Sequence, residues 1–294
     1  MKRVILTGDD FGLARTVNEA IELAHTDGVL TAASLMVSGA AAADAVERAR
    51  GHPALGVGLH VVLVEGRPVL PPEEVPDLVG PDGEFSTRLV RAGFRFAFVP
   101  GIRRQLEAEV RAQFEAFRQT GLELDHADVH NHMHLHPLVL GLVLEIGRDF
   151  GLRAVRLPNE PPFRTWRAAR TGLARRVASA AFFWPLVARM RARLAQEGLA
   201  HNDFLLGMSD SGGMVERRLL ALLQGLQEGV TEIHFHAASG REPVLDRTMP
   251  SYLHEEELEA LLSPRVRAAL ERPGVERCTF SAISRRPAGQ RAGF

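Results

Sequence analysis

The sequence predicts an α/β fold built on a parallel sheet or barrel, and two observations predict it. Short apolar runs of strand length alternate with segments of helical periodicity along most of the chain. The chain has 294 residues, of which 46% are apolar, which is enough to bury the large core that such a fold needs. We expect a single domain over residues 1–294.

The chain opens with strands and helices in close alternation. KRVILTGDD, residues 2–10, is an apolar run that ends in Asp9 and Asp10, as a buried strand does when its carboxyl end opens on a site. A helix over 16–27 follows, since four apolar residues recur there at helical spacing and Gly28 is placed to end it. The next elements are strand 32–37, helix 42–50 and strand 55–63.

Residues 64–85 interrupt the alternation with five prolines and three glycines, a composition typical of loops. An amphipathic helix over 103–120 comes next, with one apolar stripe and Gly121 after its end. Pro137 suits the first turn of a helix over 138–150. The other predicted elements are strands 125–130, 153–157, 230–236 and 276–281, and helices 215–228 and 255–270.

Residues 161–196 have an unusual composition, with eight arginines and no acidic residue around an apolar stretch that includes Phe182, Phe183 and Trp184. We interpret them as an inserted helical segment. Such a segment can lie at a membrane interface or bind an anionic or lipid-bearing substrate. The alternative is a helical pair that packs on the barrel with its arginines in water. The glycine-containing loop 202–214 is either a lid or an ordinary connection.

Charge and cysteine content exclude several classes of protein. Thirty-five basic and thirty-six acidic residues leave no overall charge that would favour nucleic acid. Cys278 is the only cysteine, which excludes an internal disulfide and a cysteine-rich zinc site. The apolar run 4–6 is too short for a signal peptide, and no run of 18 apolar residues occurs. We expect a cytoplasmic protein with a flexible tail over 283–294.

A histidine-rich stretch, LDHADVHNHMHLHP at 124–137, predicts a metal site. Residues four apart on a strand are separated by ~13 Å, so one ion with ligands ~2 Å away cannot bind the whole row. At most one or two of these histidines are ligands. Asp128 lies among them at a strand end, which favours a metal site over five structural histidines. The five are His126, His130, His132, His134 and His136.

Further ligands must come from other strand ends, because a hydrolytic metal centre usually has three protein ligands and open positions for water and substrate. Asp9, Asp10 and His60 are the candidates. His234 or His236, on one face of a late strand, could supply the proton that a leaving group needs. The structural alternatives are a helix N-cap or Asx-turn for the acids and buried, hydrogen-bonded side chains for the histidines.

Four separated motifs together resemble the YdjC/ChbG family of metal-dependent carbohydrate deacetylases, in order from residue 3 to about residue 240. They are GDDFG at 8–12, GLH at 58–60, D-x-H-x-H-x-H at 128–134 and E-I-x-x-H at 232–236. The resemblance implies an irregular (β/α) barrel of the TIM-barrel type. Three more stretches resemble the hopanoid-biosynthesis-associated, HpnK-like branch, whose members remove the acetyl group from an N-acetylglucosaminyl hopanoid. They are residues 63–79, 130–137 and 154–162.

The resemblance also implies roles for individual residues. The ligands of a divalent ion, which could be zinc, magnesium, manganese or cobalt, would be Asp10, His60 and His130. Asp9 would be the general base and His236 the general acid. His234 is the substitute acid, because Ala237 follows His236 where the family commonly has proline. The substrate-binding candidates are His132, His134 and His234.

The implied substrate is an acetylated amino sugar, lipid-linked in the branch that the sequence resembles. Peripheral contact with the inner face of a membrane through 161–196, and a homodimer, are further expectations. Three alternatives remain open. The first is a deacetylase of soluble chito-oligosaccharides, and the second is a metal-dependent phosphoesterase or amidohydrolase, which also uses H-x-H pairs. The third is a storage protein that binds several ions along 126–136.

Overall fold

The structure of the protein is a computed structural model, which describes residues 1–284. In that part of the chain seven strands form one sheet, in which every strand pair is parallel. The order across the sheet is β4-β3-β2-β1-β6-β5, and β7 pairs with the first residues of β1. The strands are β1 (Lys2–Phe11), β2 (Ala32–Leu35), β3 (Gly56–Val61), β4 (Ala127–Val129), β5 (Phe204–Leu206), β6 (Gly229–Phe235) and β7 (Val275–Arg277).

Twelve helices within residues 1–284 connect and cover these strands. They are α1 (Arg15–Thr26), α2 (Ala42–Gly51), α3 (Leu89–Phe98), α4 (Ile102–Gln119), α5 (Pro137–Asp149), α6 (Pro162–Ala169), α7 (Leu173–Gln196), α8 (Glu216–Gln224), α9 (Pro243–Thr248), α10 (His254–Leu262), α11 (Pro264–Leu270) and α12 (Phe280–Ser284). A 3-10 turn at His130–Leu135, called the 130–135 loop below, joins β4 to α5. None of the helices in these residues is long and apolar enough to cross a membrane.

The predicted alternation matches most of these elements, and two differences have local causes. Helix α3 was not predicted, because the apolar residues of LVRAGFRFAF cover most of the helix circumference instead of one narrow stripe that faces the core. The predicted helix 255–270 is two helices that meet at Ser263. Pro264 lacks the N–H that a continuous helix needs, and the Ser263 hydroxyl accepts hydrogen bonds from the first amides of α11.

The sheet is curled, and irregular backbone lies between its two edge strands. Residues 153–157, predicted as a strand, form only isolated bridges: Val155 pairs with Ala127 in β4, and Ala154 pairs with Ala200 ahead of β5. The α/β prediction is therefore confirmed as a curled parallel half-barrel, while closure into a full TIM barrel stays a prediction. Helices α6 and α7 occupy the arginine-rich segment, and the predicted tail lies outside the described residues from position 285 onward.

Strand β1 lies at the centre of the core. It pairs with β6 along its length on one side, and with β7 and then β2 on the other. Val4 and Leu6 are fully buried in the main hydrophobic cluster, and Ile5 belongs to a smaller cluster on the other side of the sheet. Because all the strands are parallel, their carboxyl ends share one edge, where sites form in α/β proteins.

Candidate active site

Polar residues at the carboxyl ends of four strands meet at this edge of the sheet. Asp9 and Asp10 lie at the end of β1. His60 lies near the end of β3 and is paired in register with Asp128 of β4. His234 lies near the end of β6, which pairs with β1. Side chains that are far apart in the sequence therefore share one site.

A distortion at the end of β1 allows both of its acids to reach the site. The register between β1 and β2 shifts between Gly8 and Phe11, and Asp10 has φ 62°, in the left-handed region. Adjacent side chains of a regular strand point to opposite faces, whereas a bulge changes the direction of one of them. Asn131 and His132 on the facing loop also have positive φ, 53° each. Such backbone strain is common at functional sites.

Asp10, His60 and His130 form a candidate metal site. Asp10 Oδ1 lies 3.5 Å from His60 Nε2 and 3.4 Å from His130 Nδ1, and the two imidazole nitrogens are 3.2 Å apart. Ligand atoms ~2.1 Å from one ion at tetrahedral angles lie ~3.4 Å apart, so these separations fit a shared ion. Both carboxylate oxygens of Asp10 are buried without a hydrogen-bond partner in the described residues, and a cation would satisfy them.

A second carboxylate orients one of the candidate ligands. His60 Nδ1 donates a hydrogen bond to Asp128 Oδ1 over 2.9 Å, which leaves Nε2 facing Asp10. Metal-binding histidines usually donate their other N–H to such a group. Burial alone would lower the pKa of His60, but the charge of Asp128, the nearby Asp10 carboxylate and the hydrogen bond to Asp128 raise the pKa to about 10. The carboxylates around His60 therefore favour a positive charge at this position, and a bound divalent cation would supply it.

A fully buried arginine connects the acids of the site. The Arg156 guanidinium donates to both oxygens of Asp9, over 2.7 and 2.8 Å, and from Nε to Glu232 Oε1 over 2.9 Å. It also contacts Asp128. Arg156 is not among the site residues predicted from the sequence. The available signal was a charged residue inside the apolar strand pattern RAVRL, since an arginine is almost never fully buried unless it is paired.

Asp9 remains ionised in this environment. Burial alone would raise the pKa of Asp9, but the charge of Arg156 and a hydrogen bond from His234 hold the pKa well below its ordinary value. His234 Nδ1 donates to Asp9 Oδ2 over 3.1 Å. Water bound to a divalent cation has a pKa of ~7, far below that of bulk water, so it gives up a proton to an anionic carboxylate much more readily than free water does.

His236 lies on the partly exposed side of the site. Its ring packs edge-on against His234 and Tyr252, at centroid distances of 5.4 and 5.2 Å. Its backbone is held at both ends: the N–H donates to Glu257 over 2.6 Å, and the carbonyl accepts from His254 Nδ1 over 2.5 Å. Burial lowers the pKa of His236 to about 4. The ring Nδ1 has no hydrogen-bond partner within residues 1–284, so it is available to a ligand.

Comparison with known proteins identifies the family. A profile of the family described as YdjC-like protein matches residues 3–272. The chain belongs to the YdjC-like family. A relative from Geobacillus stearothermophilus named carbohydrate deacetylase is 32% identical over 277 residues, which cover 94% of this chain and 96% of the relative. One of the same name from Brevibacillus brevis is 39% identical over 156 residues, which cover 53% of this chain and 59% of the relative.

A solved structure from Enterococcus faecalis V583 has a similar fold. It is described as a candidate cellobiose-phosphate cleavage protein, is 24% identical and has a TM-score of 0.73, covering 96% of this chain and 99% of that chain. The profile match and the relative from Geobacillus stearothermophilus confirm the predicted membership of the YdjC-like family, while the hopanoid branch stays a prediction.

The histidine row of this YdjC-like chain is divided between several environments. Within residues 1–284, His130 is the one member of the row that belongs to a candidate metal cluster, which agrees with the expectation of one or two ligands. His134 is buried, and its Nε2 bonds the Arg156 carbonyl over 3.0 Å. His132 lies in the site, with its ring 5.5 Å from that of His234.

The two ends of the row lie away from the candidate metal cluster. His126 is buried between Ser34 and Asp125, with ring nitrogens 3.2 and 3.0 Å from their side-chain oxygens. His136 packs its ring against Phe96 of α3. Neither residue belongs to a candidate metal cluster in the described part of the chain, which disfavours a storage site along the whole row.

The predicted loop 202–214 contains the short strand β5, and the residues that follow β5 are anchored beside His234. Glu160 accepts hydrogen bonds from the backbone N–H and the hydroxyl of Ser209. Arg176 of α7 donates to both oxygens of Asp210, over 2.7 and 2.8 Å. Arg176, one of the eight arginines of the 161–196 segment, is therefore buried in an ion pair. It does not lie in water, as the alternative of a packed helical pair expected for these arginines.

Proposed function

We propose that the protein is a metal-dependent hydrolase that removes the acetyl group from an N-acetylated amino sugar. The observation that carries the proposal is the convergence of the Asp10, His60 and His130 cluster with Asp9 and His236 at one strand edge. Amide hydrolysis needs a polarised carbonyl, a base for water and an acid for the amine. The name carbohydrate deacetylase borne by the relatives supports this reaction.

The three ligand candidates would hold one divalent ion. A carboxylate with two imidazoles suits zinc, and with open positions it also accepts magnesium, manganese or cobalt. When bound, the ion supplies Lewis-acid polarisation of the amide carbonyl and lowers the pKa of water. Asp128 keeps His60 in the tautomer whose Nε2 faces the ligand position.

Asp9 is assigned the role of general base. Arg156 holds both of its oxygens, and His234 holds one of them from a second direction. These contacts fix the orientation of the carboxylate and keep it anionic, so it is ready to accept the proton of the attacking water.

His236 is assigned the role of general acid, because an amine leaves slowly unless it is protonated. Since burial lowers the pKa of its ring, His236 must first take up a proton before it can protonate the amine. Its ring is partly exposed, whereas His234 is buried and its Nδ1 is bonded to Asp9. We therefore assign His234 to positioning the base, with a place in the substrate pocket. His132, which is also partly exposed, is assigned to contact with the substrate. The buried His134 is hydrogen-bonded to the Arg156 carbonyl, and its ring packs against that of His132 at a centroid distance of 6.1 Å.

The finer substrate assignment is an N-acetylglucosaminyl lipid of the hopanoid type. It rests on the resemblance to the HpnK-like branch and on the exposed aromatic residues of the 161–196 segment, which would contact the inner face of the membrane. Soluble chito-oligosaccharides are the alternative substrate, and acetate release from the two classes under identical conditions distinguishes them.

Acetate release and metal content test the reaction and the ligand set together. Asp9→Asn should keep its ion and lose at least ~100-fold in rate, which is the usual contribution of a general base. Asp10→Asn should lose both the ion and the activity, while Asp82→Asn, an exposed acid, serves as the control. Full rate in the Asp9 variant, or one tightly bound ion in the Asp10 variant, would contradict the assignments. Hydrolysis of p-nitrophenyl phosphate in preference to the amides would indicate a phosphoesterase.

A substrate with a good leaving group tests the acid. His236→Gln should lose activity on the acetylated amino sugar but much less on p-nitrophenyl acetate, whose leaving group needs no proton. His234→Gln should impair both reactions, because it disturbs the base. The opposite pattern would make His234 the acid.

A further inference from the structure

Helix α3 exposes a row of apolar side chains. Val90, Phe94 and Phe98 are 75%, 63% and 76% exposed and follow one another at four-residue spacing on one face. The rings of Phe94 and Phe98 stack, with centroids 6.2 Å apart. Ala92 and Phe96 of the same helix are buried in the core. A helix that is apolar on its outer face as well as its inner face is typical of a surface that meets an apolar partner.

The first half of α7 has the same character. Phe182 and Trp184 are 73% and 70% exposed, and Val177 is also exposed. Between Leu173 and Trp184 the one buried residue is Arg176. This half of the helix therefore covers little of the core and presents apolar side chains to solvent.

Both helices contact the segment 130–136, which carries His130. Phe96 of α3 packs its ring against His136, with centroids 6.1 Å apart. Helix α7 packs against the 130–135 loop. Its Arg176 also binds Asp210 and so anchors a different segment, 202–214, beside His234. Both helices therefore lie close to the segment that follows β4 at the carboxyl edge of the sheet, where the candidate active site is.

The two sequence segments that carry these faces contain charges of one sign. Residues 85–106 contain five arginines and no acid, and 161–196 contain eight and no acid. Several of these arginines are exposed and make no ion pair with any described residue; they are Arg88, Arg91, Arg167, Arg170 and Arg175. Exposed aromatic and aliphatic side chains surrounded by unpaired arginines suit an anionic bilayer, in which rings enter the interface and guanidinium groups meet phosphates.

We propose that the exposed face of α3 and the first half of α7 form one docking surface for an anionic lipid bilayer. A flat bilayer can contact two helices from distant parts of the sequence at once, and here both helices contact the segment that carries His130. Helix α3 is a new part of this surface, because sequence analysis assigned membrane contact to 161–196 alone. The inference rests on exposure and charge and does not depend on the deacetylase proposal.

Vesicle co-sedimentation tests the surface, with phosphatidylcholine alone or mixed with an equal amount of phosphatidylglycerol. The protein should bind the mixed vesicles, bind neutral vesicles less, and lose affinity as salt rises. Phe94→Ser/Phe98→Ser and Phe182→Ser/Trp184→Ser should each weaken binding by at least about tenfold, since each removes two rings from the interface. Leu23→Ser, an exposed leucine on α1, is the matched control and should bind as wild type.

Three outcomes would overturn the proposal. The first is no binding of the wild type to mixed vesicles, and the second is unchanged binding of the α3 variant. The third is a wild-type protein that does not bind vesicles but forms a dimer in light scattering, and whose dimer dissociates when the α3 residues are substituted. This result would assign the surface to a second copy of the chain. Acetate release from a soluble acetylated amino sugar should be the same in all surface variants, so failure of the deacetylase proposal would appear separately.

Discussion

Replacing Arg156 with methionine should destabilise the protein by about 3–5 kcal/mol. The guanidinium is fully buried and is surrounded by the buried carboxylates of Asp9, Asp128 and Glu232. A hydrogen bond to a charged group is worth ~1.5–3 kcal/mol, but bonds that share one group do not add. Removing one partner of a buried ion pair costs about 3–5 kcal/mol, because the remaining charge is left without compensation. Methionine keeps much of the apolar stem, so the loss reports mainly on charge.

Thermal unfolding at about pH 8 and about pH 5 measures this effect. At ~2 °C per kcal/mol for a chain of this size, the midpoint should fall by roughly 6–10 °C at the higher pH. Without the guanidinium, the pKa values of the buried carboxylates rise above their values in the unfolded chain. The folded variant then binds more protons than the unfolded one, so the penalty should shrink at the lower pH. Arg153→Met, an exposed arginine on the same segment, should change stability by no more than ~0.5 kcal/mol.

A double variant tests the buried carboxylates that Arg156→Met leaves without a counter-charge. Adding Glu232→Gln to Arg156→Met removes one uncompensated charge and should recover part of the lost stability. The reasoning would be refuted if Arg156→Met unfolded at the same temperature as Arg153→Met at both pH values. It would also be refuted if the double variant were less stable than Arg156→Met alone, because removing a second charge would then not compensate for the first.

Three other predictions follow from the structure. Asp128→Asn should weaken metal binding about 10–100-fold in calorimetric titration, because it removes the group that orients a ligand. Asp125→Asn should lose ~1–3 kcal/mol in urea unfolding at neutral pH. Against burial, hydrogen bonds from His126 and backbone amides hold the pKa of Asp125 below its ordinary value, so this loss should shrink below about pH 4. Gly58→Ala should cost ~1–3 kcal/mol, because its Cβ would lie 2.4 Å from the His126 ring. Gly51→Ala, with open space around it, should be neutral or stabilising.

Local periodicity in the sequence determined most of the strand and helix order. Strand β1 and helix α4 could be predicted because their apolar residues follow the period of one regular element. Helix α3 could not be predicted, because its apolar residues cover most of its circumference and do not mark one core-facing stripe. Residues 153–157 have a strand pattern but make only isolated bridges, since pairing depends on neighbours that the local sequence does not specify.

The sequence by itself also placed the candidate ligands at strand ends, from their residue types and positions. Only the tertiary structure decided which of them meet: His130 joins Asp10 and His60, whereas His126 lies away from that cluster. The physical reason is that a strand pattern shows which side chains of that strand point to the same face of the sheet. The residues that lie beside them on the next strand depend on the register, which long-range pairing sets. The role of Arg156 is likewise tertiary, because a buried guanidinium is tolerated only where carboxylates from separate strands converge on it.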